Sequence, residues 1–257
     1  MQFFCHMKKL FVFDIDKTIK PWFSDIPPLT KKVISLLKEK YTVCLATGRC
    51  FNEAIAVLEQ LQLDYLICNG GSDVYYKHEL IYQNAPDFTQ EVLRLKEIKP
   101  YHFFVCDNGV YSYNYPKWFK CIGMFKYFYP KTSTIYGLIN LMSQIQNGKE
   151  LNEMGTPHKF YVFGKYEGLL DYSHVGNWLH TFEFENKAIG IQFLNEYLDG
   201  FDEIICFGDS RNDISMFQIA TRSYANKKGN SQLISIATDT FDIKEGIYKI
   251  VLKELDV

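Results

Sequence analysis

The sequence predicts an α/β protein: a parallel sheet flanked by helices, made from two stretches of chain with an α+β insertion between them. Three observations carry that prediction. Short apolar runs alternate with helical patterns over the first third of the chain and again after about residue 184. Between these stretches the rhythm changes to hairpins and aromatic-rich runs. Three apolar runs end in polar clusters, where an open parallel sheet binds its ligands. The 257 residues suffice for a core domain with a smaller one inserted.

The elements follow in order. "LFVFDID" reads as a strand that ends at Asp14 and Asp16. "PPLTKKVISLLKEKY" places Val33, Ile34, Leu36 and Leu37 at helical spacing behind a Pro and Thr start. "TVCLATGR" is the next strand and its exit, "NEAIAVLEQLQL" a helix, and "DYLICNGG" a third strand. "SDVYYKHELIYQN" then predicts a hairpin turning at Lys77–Glu79, and Asn108-Gly109 predicts a second inside "YHFFVCDNGVYSYNY". "KFYVFGKY" is one more strand, and "TQEVLRLKEI" and "STIYGLINLMSQIQ" are helices. The first rhythm returns with "KAIGIQFLNEYL", "DEIICFGDS" and "NDISMFQIAT", and two closing helices follow in "NSQLISIAT" and "EGIYKIVLKEL". The expected division is residues 1–82 and 184–257 for the core and 83–183 for the insert.

Composition narrows the function. Hydrophobic residues make up 47% and charged residues 23%, which excludes disorder. A net charge of -2 gives no electrostatic reason to expect nucleic acid or an anionic membrane as partner. No apolar run approaches the length of a membrane span, and Asp14 ends the short run after Lys8 and Lys9, so no signal peptide is read. Seven cysteines (Cys5, Cys44, Cys50, Cys68, Cys106, Cys121, Cys206) form no C-x-x-C pair, so a reducing cytoplasm is expected and structural zinc is not. His6, His78, His102, His158, His174 and His180 have no metal-ligand spacing.

The polar strand ends carry the chemistry. Asp14 and Asp16, Thr47-Gly48-Arg49, and Gly208-Asp209 leading to Asn212-Asp213 are scattered in the chain, yet a parallel sheet can bring them together. Four carboxylates gathered there repel one another unless a hard divalent cation sits among them, and Mg²⁺ with a substrate phosphate suits that demand. Lys187, opening a helix, can add positive charge.

"DIDKT", "LATGR", Lys187 in "ENKAIGIQFL", and "GDSRND" together resemble the haloacid dehalogenase (HAD) superfamily of aspartate-nucleophile phosphatases. "ICNGG", the position of the insert and the ending "DTFDIKEGIYKIV" resemble its Cof-type branch. The resemblance implies a Rossmann-like core, an inserted C2B-type cap, and Mg²⁺. It implies that Asp14 is the nucleophile and Asp16 the general acid and base. It places Thr47, Gly48, Lys187 and Asn212 around the phosphate and Asp14, Asp16 (through its carbonyl), Asp209 and Asp213 around the metal, with Asp213 either a ligand or an anchor behind one. The implied substrate is a small phosphorylated metabolite such as a sugar phosphate. A phosphotransferase or mutase on the same scaffold, a degenerate non-catalytic member, and a receiver-like phosphate-sensing protein are the alternatives.

Two positions depart from the family pattern. Lys17 stands where glycine is usual, and it fits the turn there with a negative φ. Ala188 follows the motif lysine in place of glycine. "KPWFSDIPP" is expected to form a flap over the site, and Asn69 to line the cleft. Arg49 and Arg211 are expected as loop or surface charges, and Lys117, Lys120 and Lys126 as a solvated basic edge.

Overall fold

The computed structural model describes residues 7–84, 86–164, 173–175 and 179–255. The chain begins with β1 (Lys9–Phe13), α1 (Pro28–Lys38), β2 (Thr42–Ala46), α2 (Phe51–Leu61) and β3 (Tyr65–Cys68), then the hairpin β4 (Asp73–Tyr76) and β5 (Glu79–Gln83). There follow α3 (Thr89–Ile98), β6 (Tyr101–Cys106), β7 (Gly109–Ser112), a 3-10 run (Lys117–Phe128), α4 (Thr134–Ser143), β8 (Gln146–Asn147), α5 (Leu151–Met154), β9 (Pro157–Phe163), β10 (Ser173–Val175) and β11 (Leu179–Glu183). The chain closes with α6 (Lys187–Tyr197), β12 (Glu203–Gly208), α7 (Ile214–Ile219), β13 (Arg222–Asn226), α8 (Ser231–Ile236), β14 (Asp239–Phe241) and α9 (Tyr248–Glu254).

Two sheets result. The first has the order β14-β13-β12-β1-β2-β3-β4-β5; β14 through β3 run parallel, β4 pairs antiparallel with β3, and β5 pairs antiparallel with β4. β1 is central, which explains its unbroken apolar run. Phe11 and Phe13 point to one face and pack with Ile34, Leu37, Val57 and Val251. Leu10 and Val12 point to the other face and pack with Ile191, Leu194, Met216 and Leu233. A strand covered on both faces has no polar side to show.

The second sheet, β10-β11-β9-β6-β7-β8, is antiparallel except for the β7–β8 pair. On one face Phe103, Val105 and Tyr161 meet Phe119, Leu141 and Met142. On the other, Phe104 and Phe160 meet Val92, Leu95 and Met154. Phe103, Phe104, Tyr111, Phe160 and Tyr161 on the strands are core, as sequence reasoning holds for aromatics on strands, whereas Trp118, Phe125, Tyr127 and Phe128 of the 3-10 run are exposed. Both predicted hairpins form, at β4–β5 and β6–β7. Strands β10, β11, β13 and β14 and the 3-10 run are not foreseen; "RSYAN" in β13 has no alternation and is a strand because β12 and β14 flank it.

The chain leaves the first sheet after Gln83 and returns after Glu183, and both crossings are held by one turn. Asn84 donates its N–H to the Ser72 carbonyl (2.7 Å) and Asn186 donates to the Gly70 carbonyl (2.9 Å). Gly70 has φ +67°, and a Cβ there would overlap the backbone carbonyl of Phe184 on the returning chain. Gly70→Ala is thus expected to destabilise the protein by about 2 kcal/mol or more, since the left-handed backbone and the close approach both exclude a side chain. Thermal unfolding checks this, and an unchanged Tm would contradict it.

Candidate active site

The carboxyl ends of β1, β2 and β12 bring the predicted motifs together. Asp14, just past β1, is anchored by its own N–H, which donates to the Phe207 carbonyl of β12 (2.9 Å). Its carboxylate accepts from Lys187 Nζ at 2.7 Å and from Thr18 Oγ1 at 3.1 Å. Lys187 is fully buried and also donates to Asp213 Oδ1 at 2.6 Å. Burial alone would discharge that lysine, but Asp14 and Asp213 outweigh it and hold its pKa above the ordinary value. The other oxygen of Asp213 accepts the N–H groups of Asp209 (2.8 Å) and Ser210 (2.9 Å), which ties the β12 exit loop to it.

Ligand oxygens of Asp14, Asp209 and Asp213 lie within 4.8 Å of one another. One lysine does not balance three carboxylates. Burial, opposed by Lys187, raises the Asp14 carboxyl to about 7. Burial, then the charges of Asp14 and Asp213, raise that of Asp209 to about 8. Among the described residues no side chain donates a hydrogen bond to the Asp209 carboxylate. All-oxygen donors with surplus negative charge and a carboxylate lacking a donor fit a hard divalent cation.

Asp16 lies apart from that cluster in its bonding. Arg49 grips it with a two-pronged contact, Nε to Oδ2 at 2.8 Å and Nη2 to Oδ1 at 2.7 Å. Lys20 Nζ (2.9 Å) and Thr134 Oγ1 (2.8 Å) donate to Oδ1 as well. Burial acts to raise its pKa, but Arg49 and then Lys20 outweigh it and hold the carboxyl well below the usual carboxylate range. Arg49 also donates to the carbonyls of Thr132 (2.9 Å) and Glu53 (3.2 Å). The expectation of a surface Arg49 is therefore corrected: the guanidinium is buried and joins β2's exit loop to the segment leading into α4.

These groups line a cavity of about 420 Å³ between the two sheets. The first sheet's loops contribute Asp14, Asp16, Lys17, Thr47, Gly48, Asp209 and Asn212. The other side contributes Thr134 and Leu138 of α4 and Lys159, Tyr161, Leu179 and Thr181 of the second sheet. Thr47 Oγ1 accepts the Arg49 N–H (3.2 Å), and the Gly48 carbonyl accepts Lys159 Nζ (2.6 Å). Asn212 Oδ1 accepts from Ser210 Oγ (2.6 Å). The structure thus gathers Asp14, Asp16, Thr47, Gly48, Asp209 and Asn212 on the cavity wall, with Lys187 and Asp213 behind them.

Other expectations fare differently. Trp22 of the expected flap lines the cavity, and Asp25 accepts from Thr132 Oγ1 (2.9 Å). Asn69 does not line it; it is buried, with Nδ2 turned to Asp73 (2.6 Å). Lys17 has φ +59°, so the negative φ expected for it is corrected. Arg211 is exposed, as expected, but on the cavity rim. None of Lys117, Lys120 and Lys126 reaches the cavity, and no described histidine lines it. Cys5 and His6 lie outside the described residues. Lys20, Arg49, Thr134 and Lys159 are the site residues that sequence reasoning missed. Among the described residues no helix is long and apolar enough to cross a membrane.

An α/β enzyme of the hydrolase class accords with this fold and this site. The model of the haloacid dehalogenase-like hydrolases matches residues 11–250, and the chain belongs to that family. It is 27% identical over 241 residues to "Putative phosphatase YkrA" of Bacillus subtilis (strain 168), covering 89% of this chain and 90% of that protein. A haloacid dehalogenase-like hydrolase from Bacteroides thetaiotaomicron shares its fold, with a TM-score of 0.74 at 16% identity over 96% of this chain and 99% of that one. So does the subclass IIB sugar phosphatase BT4131, with a TM-score of 0.69 at 20% identity over 97% and 99%. The α/β fold class, the Cof-type HAD resemblance and the phosphatase assignment agree with these similarities.

Proposed function

We propose that the protein is a Mg²⁺-dependent phosphatase of a small phosphorylated metabolite, acting through an aspartyl-phosphate on Asp14. The observation that carries this reading is the Asp14 carboxylate itself. It sits on the cavity wall, oriented by Lys187 and Thr18, and shares an acidic cluster with Asp209 and Asp213. Asp14, Asp209 and Asp213 would hold the ion, with the Asp16 carbonyl expected beside them from the family resemblance. When bound, Mg²⁺ supplies charge neutralisation to the phosphoryl oxygens.

The chain's own groups do the rest. An Asp14 oxygen attacks phosphorus, and the bond to the leaving alcohol breaks. Thr47 and Lys187 bind phosphoryl oxygens, and Asn212 keeps its loop in place. Asp16 donates the proton to the leaving oxygen and later takes one from the attacking water. Its ionised state beside Arg49 suits the second task; for the first it must leave Arg49 and Lys20 and carry a proton. We read residues 83–183 as a cap over the core of 1–82 and 184–257, so that second-sheet residues face the leaving group. A cavity of about 420 Å³ accommodates a sugar phosphate. The six described cysteines are all free, which supports the cytoplasmic reading.

Phosphate release from p-nitrophenyl phosphate tests the proposal. Removing divalent ions with EDTA is expected to lower the rate at least tenfold, to roughly background, and added Mg²⁺ to restore it. A rate indifferent to EDTA would overturn the metal assignment.

A further inference from the structure

Lys17 is the residue of the site whose backbone is hardest to explain. Its φ of +59° is left-handed, a conformation that is unfavourable for a lysine because its Cβ crowds the following carbonyl. The turn around it imposes that conformation. Its N–H donates to the Lys20 carbonyl (2.7 Å), and its carbonyl accepts from Asn226 Nδ2 (2.8 Å). Glycine adopts this geometry without cost, so a lysine here is explained by its side chain. Other left-handed residues have ordinary settings: Gln62 and Lys99 close helices, Lys77 sits in a hairpin turn, Asn69 bonds to Asp73 within its own turn, and Asp199 follows α6. Among the described left-handed non-glycine residues, Lys17 alone lines the cavity.

The ammonium is held on the cavity wall. Nζ lies 4.9 Å from the centre of the Trp22 ring, and both residues line the cavity. Arg211 lines the same cavity and is exposed. The site's other cations are engaged: Lys187 with Asp14 and Asp213, Arg49 and Lys20 with Asp16, and Lys159 with the Gly48 carbonyl. Among the described residues neither Lys17 nor Arg211 makes an ion pair with a carboxylate. On the proposed function the phosphoryl group would be met by Lys187 and by the ion that the acidic cluster would hold. Two uncommitted cations beside an aromatic wall leave room for a second anion.

We infer that Lys17, with Arg211, binds a second anionic group on the substrate's alcohol, so that the preferred substrate is a phosphomonoester that also carries another phosphate or a carboxylate. This rests on the phosphatase reading for turnover but not for binding. Its test uses fructose 1,6-bisphosphate and 3-phosphoglycerate against fructose 6-phosphate. The wild-type protein, with Mg²⁺, is expected to show a higher kcat/KM for at least one of the first two. Lys17→Gly, which also relieves the backbone, should cut that preference about tenfold, the worth of one charged hydrogen bond. Lys17→Met and Arg211→Gln should each cut it as well. Calorimetric binding to Asp14→Asn protein gives the same comparison without turnover. A wild type that releases no phosphate even from p-nitrophenyl phosphate fails the phosphatase reading, and the binding preference then still decides this inference. Equal affinity for the three ligands, or a preference that survives both Lys17→Gly and Arg211→Gln, would overturn it.

Discussion

Asp14→Asn should abolish turnover, lowering phosphate release by about 10³-fold or more, because on the proposed mechanism its carboxylate, oriented by Lys187 and Thr18, is the group that accepts the phosphoryl group. The substitution keeps the size of the side chain: the amide oxygen can still accept from Lys187, and its NH₂ can donate to the Thr18 hydroxyl. It also relieves charge crowding among three buried carboxylates, so the protein should fold at least as well as the wild type. A stopped reaction with unchanged thermal unfolding is the expected pair of results. Activity within tenfold of the wild type would refute Asp14 as nucleophile, whatever the metal requirement proves to be.

The second large effect is on stability. Arg49→Ala should cost about 3 kcal/mol, since removing one partner of a buried pair leaves the other charge uncompensated. Asp16 would keep Lys20 and Thr134 but lose the two-pronged contact, and the carbonyls of Glu53 and Thr132 would lose their donor. For a chain of this length that loss corresponds to a Tm lowered by roughly 6–12 °C. Arg49→Lys should recover little of it, because an ammonium cannot span both carboxylate oxygens and both carbonyls at once. Circular dichroism melts of the two variants decide the matter. A Tm within about 1 °C of the wild type in Arg49→Ala would show that the contact contributes nothing net.

What could be read in advance followed local signals. Asp14 was legible because it ends an unbroken apolar run, and Lys187 because it opens a helix just upstream of the strand that carries Asp209. Both hairpins were legible from a two-residue turn between β-prone runs. Arg49 was not, because its partners Thr132 and Thr134 come 83 and 85 residues later and nothing near it in sequence announces them. Lys20 was hidden in the same way: a lysine in a loop reads as solvated, and only folding wraps it against Asp16 and the carbonyls of Pro21 and Trp22. Asn69 failed for a different reason. It is next to the motifs in sequence, but a left-handed φ of 49° and a bond to Asp73 turn it away from the cavity. Strand β13 shows the limit of periodicity, since pairing on both sides makes a strand of residues with no pattern of their own.

The turn at residues 69–72 has a mechanical side. Both crossings between the sheets are bonded to it, Asn84 to Ser72 and Asn186 to Gly70. Two tethers pinned at one place act as an axle. Sliding one sheet past the other would tear both tethers, whereas swinging about the axle leaves them intact. Any such swing would have to break the Arg49–Thr132, Asp16–Thr134 and Lys159–Gly48 bonds on the cavity side. Parting them would take one hydrogen bond from Asp16, that of Thr134, and leave those of Arg49 and Lys20, which belong to the same sheet's loops as Asp16 itself.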